Sequence, residues 1–328
     1  MTSLTLTCIG RQQNTHDVVS WQLAPLSGSL PPVLAGQCIT LHTEIDGQPH
    51  CRAYTLSSSP QDACWQVTIK DVGQVSRHLH QTLQVGDKIR ADGPFGDFNL
   101  TAIPCQRPLL LSAGSGITPM WAMLRDELAK RPDADIRFIH SARLPADVIF
   151  TEELTALTEA HIGLRHAFVL EQAPADHPWV GRLTPAMLAE LAPDLRERHV
   201  YLCGPAPYMA AVKTMLAELG LPPEQLHQES FGLPPVEPAT TSDHFWLTLN
   251  KSGKKVKILP GQTLLAALEA AGETMMAACR AGVCGSCRCT TTGDIERQSV
   301  MTLSAQDLES GVALACSCTA KGDISLDY

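Results

Sequence analysis

The chain has 328 residues, 44% hydrophobic and 18% charged, with a formal net charge of −9. That length leads us to expect two or three domains, and the acidic balance argues against a nucleic-acid partner. No apolar run approaches the ~18 residues of a membrane span, so no membrane partner is expected, and Met1–Gln12 lacks the basic start and apolar core of a secretory signal. Twelve cysteines without such a signal point to a reducing cytoplasm.

From about Ser3 to Leu100, runs such as Val18–Leu23, Gln37–His42 and Trp65–Lys70 alternate with Gly, Pro and Asp turns. The pattern predicts a small antiparallel β-barrel over residues 1–102. A helix is expected at His78–Leu83, and Gly93-Pro94-Phe95-Gly96-Asp97-Phe98 reads as a tight turn. From Arg107, buried strands (Leu109–Leu111, Ile136–Ser141, His199–Leu202) alternate with helices (Pro119–Lys130, Thr184–Leu191, Pro207–Leu219). That alternation predicts an α/β parallel-sheet domain over residues 103–232. Residues 233–242 read as a Pro-rich linker. In the remainder, 243–328, a hairpin of Phe245–Asn250 and Lys255–Leu259 and a helix at Thr263–Ala271 lead into a cysteine loop.

Several stretches could carry chemistry. Arg52-Ala53-Tyr54-Thr55-Leu56-Ser57-Ser58 offers a guanidinium for a pyrophosphate, an aromatic face for a flat ring and hydroxyls for ring nitrogens. An ordinary strand with a core tyrosine would read the same way. Gly73-Gln74-Val75-Ser76 opens a helix and is a second place for a phosphate. Gly114-Ser115-Gly116-Ile117-Thr118-Pro119 joins a strand to a helix, so its backbone N–H groups can face a phosphate; a plain strand–helix turn is the alternative. Pro119 stands where the dinucleotide fingerprint has its third glycine. Cys203-Gly204-Pro205 follows a parallel strand, at the end where α/β domains bind ligands. Glu229-Ser230-Phe231 closes the domain.

The densest signal is C-terminal. Cys279, Cys284 and Cys287 follow the spacing C-x4-C-x2-C, and roughly 28 residues lie between Cys287 and Cys316, the plant-type [2Fe–2S] pattern. Four thiolates must converge on two bridged irons, which neither a regular helix nor a strand allows; Gly282 and Gly285 permit the irregular loop that does. Zinc ribbons favour paired short spacings. Cys289 and Cys318 read as core or shell residues.

Taken in order, R-x-Y-T-x-S-S, G-x-x-S, G-P-x-G-x-F, G-S-G-I-T-P and C-G-P resemble the ferredoxin–NADP reductase superfamily. The tail from about Asp243 resembles plant-type ferredoxins. The domain order is similar to class I reductases of the phthalate dioxygenase reductase type. Arg52–Ser58, Asp147–Phe150, Cys203–Met209, Ala278–Cys287 and Val300–Leu303 with Leu314–Cys318 bring the chain nearest to NADH oxidoreductases that serve the hybrid-cluster protein.

The resemblance implies a flavin barrel, a nicotinamide domain and an α+β β-grasp ferredoxin domain, with FAD, NADH and a [2Fe–2S] cluster as cofactors. It implies Arg52 on the flavin pyrophosphate, Tyr54 stacked on the ring, Thr55 near its N5, and Ser57 and Ser58 alongside. Gly73, Val75 and Ser76 would take a phosphate. Gly114, Gly116, Thr118 and Pro119 would hold the dinucleotide. Cys203, Gly204 and Pro205 would meet the nicotinamide, and Glu229 and Phe231 would lie over the flavin, although many members carry a terminal Tyr where Phe231 stands.

Such a chain moves electrons from NADH through flavin and cluster to a protein acceptor, because a nicotinamide gives up electrons in pairs and the cluster takes them singly. The hybrid-cluster protein is the first expectation for the acceptor and an oxygenase component the second. A non-turnover redox sensor and a subunit of a larger dehydrogenase complex are the rival classes. NADH is expected over NADPH because only Arg143 follows the Ile136–Ser141 strand as a basic residue for a 2′-phosphate.

Overall fold

The computed structural model describes residues 3–231, 244–280, 282, 284–300 and 302–328. The linker expected at 233–242, the start of the last domain at Asp243, and Ala281, Val283 and Met301 of the motifs lie outside the described residues. Two compact units emerge: residues 1–45 with 54–230, and residues 46–53 with 231–328.

The N-terminal strands are β1 (Ser3–Thr15), β2 (Val18–Pro25), β3 (Cys38–Ile45), β4 (Gln48–Thr55), β5 (Trp65–Lys70) and β6 (Lys88–Phe95), with α1 (Gln74–Thr82) between the last two. They form a six-stranded antiparallel sheet of order β4-β3-β6-β1-β2-β5. A bridge between Leu56 and Val67 brings the residue after β4 against β5 and closes the expected barrel. Alternate residues point inward: Leu6, Cys8, Val19, Trp21, Leu23, Val67 and Ile69 are buried together. That period of two is what made the strands legible. Trp21 Nε1 donates to Leu83 O at 3.1 Å, which satisfies the polar atom of a fully buried indole.

The turn expected at Gly93–Phe98 is a correction. Gly93, Pro94 and Phe95 belong to β6. Pro94 falls at a register shift between the pairs Cys38–Phe95 and Thr40–Asp92, where the ladder does not demand its missing N–H.

The second sheet contains β7 (Pro108–Ala113), β8 (Ile136–Ala142), β9 (Leu164–Leu170), β10 (His199–Cys203) and β11 (Leu226–Glu229). Helices α2 (Ile117–Lys130), α3 (Thr151–Ala160), α4 (Pro185–Leu191) and α5 (Ala206–Glu218) connect them. The strands are parallel, in the order β11-β10-β7-β8-β9. The chain winds outward from β7 to β9, then returns to place β10 on the other side of β7. The order therefore reverses between β7 and β10, and the crevice at such a reversal is where α/β sheets bind ligands.

Every residue of β7 is buried, which explains its unbroken apolar run. Leu110, Phe138 and Tyr201 pack with Ile117, Met120 and Leu124 of α2, in a core that also takes in Val18, Ala35 and Phe98. Leu109, Leu111, Val200 and Leu202 pack on the other face with Leu188 and Val212. The helix expected from Pro119 begins at Ile117, after a 3₁₀ turn at Gly114–Gly116. Pro119 thus sits in the first turn, where its missing N–H has no intrahelical role.

The last part holds β12 (Phe245–Leu249), β13 (Lys255–Ile258), α6 (Leu264–Ala270), β14 (Arg288–Thr292), β15 (Ile295–Arg297), α7 (Ala305–Glu309), β16 (Val312–Leu314), β17 (Cys318–Ala320) and β18 (Ile324–Asp327). A mixed sheet runs β13-β12-β18-β14-β16, beside a small β15-β17 pair. Thr263 Oγ1 accepts from Ala266 N at 3.2 Å and caps α6, so Thr263 lies just outside the helix it was expected to start. Leu264, Leu265 and Leu268 then enter the same core as Cys289 and Cys318. The α+β character expected here is observed.

Candidate functional site

Cys279, Cys284, Cys287 and Cys316 are all buried, at 9%, 2%, 1% and 2% exposure. Three come from the loop between α6 and β14, and Cys316 comes from a 3₁₀ turn after β16. The loop needs left-handed backbone: φ is +56° at Arg280, +75° at Gly282 and +73° at Gly285. Its amides point at sulfur, Gly282 N to Cys316 Sγ at 3.1 Å and Cys279 N to Cys284 Sγ at 3.4 Å. Ser286 Oγ lies 3.1 Å from Cys284 Sγ. Contact with Cys279 pushes the Cys284 thiol up, and contacts with Cys279 and Cys287 do the same to Cys316. Cys287, which accepts from Cys316, is held down. Thiolates gathered in one buried loop repel one another, a repulsion that bound iron would neutralise.

Among the described residues no three His, Cys, Asp or Glu side chains converge as one bound ion would require. A two-iron cluster asks for four thiolates over two metals. Buried thiols with amides directed at sulfur fit that group. Cys289 and Cys318, 4% and 0% exposed, belong to the core behind them.

The dinucleotide candidates meet at the reversal point of the parallel sheet. A Cβ on Gly116 would stand 2.3 Å from Cys203 O and 2.7 Å from Gly204 N, so only glycine lets the loop after β7 touch the loop after β10. Gly114 has φ +52°, and nothing lies within 4 Å of its would-be Cβ, which leaves that side of the loop open. Thr118 Oγ1 donates to Ser115 O at 3.0 Å and braces the turn. Pro119 is buried, and Pro205 is exposed at the N-cap of α5.

Cys203 is fully buried and pairs in register with Glu229 on β11 and Ser112 on β7. Burial, then the Glu229 carboxylate, pushes its thiol well above the usual range. It is therefore a neutral thiol, a small polar wall and not a nucleophile. An open Gly-rich loop at a helix start, beside this strand end, fits a dinucleotide.

The flavin candidates line the end of β4 and the loop that follows. Thr55, Ser57 and Ser58 are buried, while Arg52 and Tyr54 are half-buried. Arg52 Nη1 donates to Cys51 O at 2.7 Å. Ser57 Oγ lies 2.8 Å from Thr68 Oγ1, and Ser58 Oγ accepts from Gln66 N at 3.0 Å. Ser76 Oγ accepts from Gly73 N at 2.9 Å and Val72 N at 3.1 Å, so its hydroxyl caps α1. What remains for an anion there are the first-turn amides, including that of Val75. A buried hydroxyl run beside a half-buried aromatic ring fits a flat, polar-edged group. Phe231 is 44% exposed.

Sequence reasoning missed polar residues inside apolar strands. His140 is fully buried on β8, and its Nδ1 lies 2.9 Å from Ser112 Oγ; burial pushes it down to about 3, so it stays neutral. A histidine within Ile136–Ser141 was the available signal. Asp147 was singled out only as part of the Asp147–Phe150 motif, without its ion pair. It accepts from Arg143 Nε at 3.1 Å and lies 3.5 Å from His16 Nδ1.

Residues 12–100 match the oxidoreductase FAD-binding domain family, residues 110–214 the oxidoreductase NAD-binding domain family, and residues 247–321 the 2Fe-2S iron-sulfur cluster binding domain family. The chain is 36% identical to the glycine betaine monooxygenase reductase subunit of Chromohalobacter salexigens, over 86% of this chain and 83% of that protein. It is 34% identical to the NADH oxidoreductase HCR of Escherichia coli K12, over 91% and 89% of the two chains. The solved structure of phthalate dioxygenase reductase superposes with a TM-score of 0.65 at 24% identity, over 99% of this chain and 98% of that one, and so shares the fold. No helix among the described residues is long and apolar enough to cross a membrane. The chain belongs to the family of oxidoreductases that join an FAD-binding, an NAD-binding and a C-terminal 2Fe-2S domain.

Proposed function

We propose that this oxidoreductase takes electrons from NADH and delivers them, through FAD and a [2Fe–2S] cluster, to the terminal component of an oxygenase. The observation that carries the reading is the loop of four buried thiols, in a chain that also has flavin and nicotinamide domains. Bound FAD and cluster supply the conversion of a two-electron donor into one-electron steps. This chain's residues bind and orient. Arg52 and the first-turn amides of Gln74–Ser76 neutralise the flavin phosphates. Tyr54 covers the ring, with Thr55, Ser57 and Ser58 at its polar edge. Gly114, Gly116, Thr118 and Pro119 hold the dinucleotide. Cys203, Gly204, Pro205, Glu229 and Phe231 shape the space for nicotinamide and flavin, and Cys279, Cys284, Cys287 and Cys316 hold the iron.

An oxygenase acceptor is favoured over the hybrid-cluster protein by the likeness to a glycine betaine monooxygenase reductase subunit along most of both chains. The hybrid-cluster protein stays as second reading on the likeness to NADH oxidoreductase HCR. Asp147 supports NADH over NADPH, because its carboxylate already occupies Arg143. Free thiols throughout suit a reducing cytoplasm.

The test is anaerobic purification followed by visible spectra before and after NADH or NADPH, then reduction of purified oxygenase and hybrid-cluster acceptors. A yellow-brown protein bleached by NADH supports the reading. A colourless protein, or one that NADH leaves unchanged, overturns it; bleaching without turnover on any acceptor supports a sensor.

A further inference from the structure

We infer that Arg125 and Asp62, with their neighbours Asp126 and Gln61, clamp the flavin loop to the nicotinamide helix and are positioning residues for hydride transfer. The inference deepens the reductase reading and rests on it. β4 and the buried Thr55–Ser59 stretch carry the flavin candidates. Just beyond, the chain turns on itself: Asp62 N donates to Ser59 O at 3.0 Å, and Ser59 N to Asp62 Oδ2 at 2.9 Å. The same carboxylate accepts both Nη atoms of Arg125, at 2.7 and 2.9 Å. Beside it Gln61 Nε2 donates to Asp126 Oδ1 at 2.8 Å. The other Asp126 oxygen takes Lys130 Nζ at 2.7 Å.

Three hydrogen bonds therefore cross from the loop to α2. Helix α2 begins at the dinucleotide turn, and Arg125 stands about 10 Å along it from Thr118, at 1.5 Å per residue. A straight helix transmits position over that length. The guanidinium also lies over the Trp121 ring, its carbon 5.8 Å from the ring centre, and Trp121 stacks on Phe150 at 4.9 Å. A bidentate fork fixes direction as well as distance. Side chains about one-third exposed add little stability to a core already shared through Val18, Ala35 and Phe98. What they restrict is sliding and rotation of one element over the other. Hydride transfer feels such motion most, since misplacement of the reacting atoms by ~1 Å slows a reaction about a hundredfold.

The reaction to follow is anaerobic reduction of bound flavin by saturating NADH in a stopped-flow instrument. A hydride leaves the dihydronicotinamide with both electrons of its C–H bond and bonds to the flavin, while NADH becomes NAD⁺. Arg125→Ala should slow this step about tenfold or more, with flavin content, cluster content and NADH dissociation constant within about twofold of the parent. Asp62→Asn should slow it too, and the double variant should be no slower than Arg125→Ala alone, because both remove one contact. Arg125→Lys, which keeps the charge and loses the fork, should be intermediate; it carries the test if the alanine variant does not fold. Wild-type rates in the Arg125 variants, or additive losses in the double variant, overturn the clamp while leaving the reductase reading intact. Failure of NADH to reduce the parent's flavin overturns both.

Discussion

The backbone N–H of Gly282 donates to the sulfur of Cys316 across 3.1 Å, although the two residues lie 34 positions apart. This contact ties the three-cysteine loop to the fourth thiol. It exists because φ at Gly282 is +75°, a conformation that a side chain disfavours by roughly 1–2 kcal/mol. A Cβ there would also meet Ser299 Cβ and Ser317 Oγ, both at 2.7 Å. Gly282→Ala should therefore lower iron bound per chain by at least about half, while flavin content stays unchanged. Iron and acid-labile sulfide assays check this.

The two late cysteines separate by position. Cys316 accepts from the loop amide, whereas Cys318 is fully buried in the core on β17. Cys316→Ser should abolish the native cluster spectrum. Cys318→Ser should keep it and lower stability by about 1–2 kcal/mol, since a hydroxyl replaces a buried thiol. Cluster loss in Cys318→Ser with retention in Cys316→Ser would reverse the ligand assignment.

Gly116 has φ −64°, so its backbone is ordinary and its requirement is space alone. An alanine methyl would stand 2.3 Å from Cys203 O. Gly116→Ala should push the two nucleotide loops apart, raise KM for NADH about tenfold and lower kcat, with FAD retained. Steady-state kinetics with a small-molecule electron acceptor would measure it.

Arg143 is engaged by Asp147, which is itself 7% exposed. Asp147→Asn should free the guanidinium for a 2′-phosphate and move the NADH/NADPH ratio of kcat/KM towards NADPH by about tenfold. An unchanged ratio would remove Asp147 from the specificity argument.

Stability has its own pH signature. Arg198 is fully buried and donates to Asp194 at 2.8 Å and Asp135 at 2.7 Å. The guanidinium holds the Asp194 carboxyl down at about 2. Since that value lies below the unfolded one, the contribution is complete above about pH 5 and is lost as pH falls towards 2. Its size is on the order of 2 kcal/mol. Arg198→Met should cost about 3 kcal/mol at pH 7. It should also flatten the fall in stability between about pH 4 and pH 2 in urea titrations.

Which parts of this were legible beforehand follows from how far apart the relevant residues lie. The alternation of Trp65–Lys70 and the unbroken apolar run of Leu109–Leu111 each report a local environment, so strand and sheet type could be read directly. The cysteine spacing was equally local, apart from Cys316. The turn expected at Gly93–Phe98 failed over Gly93–Phe95 because Gly and Pro composition cannot reveal a register shift opposite Cys38 and Thr40. His140 with Ser112 and Asp62 with Arg125 were invisible, because the first pair is set by strand register and the second by a loop meeting a helix.

The sequence by itself determined the barrel, the parallel α/β sheet and the candidate ligands for iron, since periodicity and motif spacing are properties of short segments; the α+β tail and the flavin and dinucleotide residues came from the family resemblance that its ordered motifs carry. The tertiary structure alone decided that Gly116 touches Cys203, that Gly282 reaches Cys316, and that Arg125 grips Asp62. Those contacts depend on which strand lies beside which and on where a backbone has room for no side chain, and neither is encoded in any single stretch of residues.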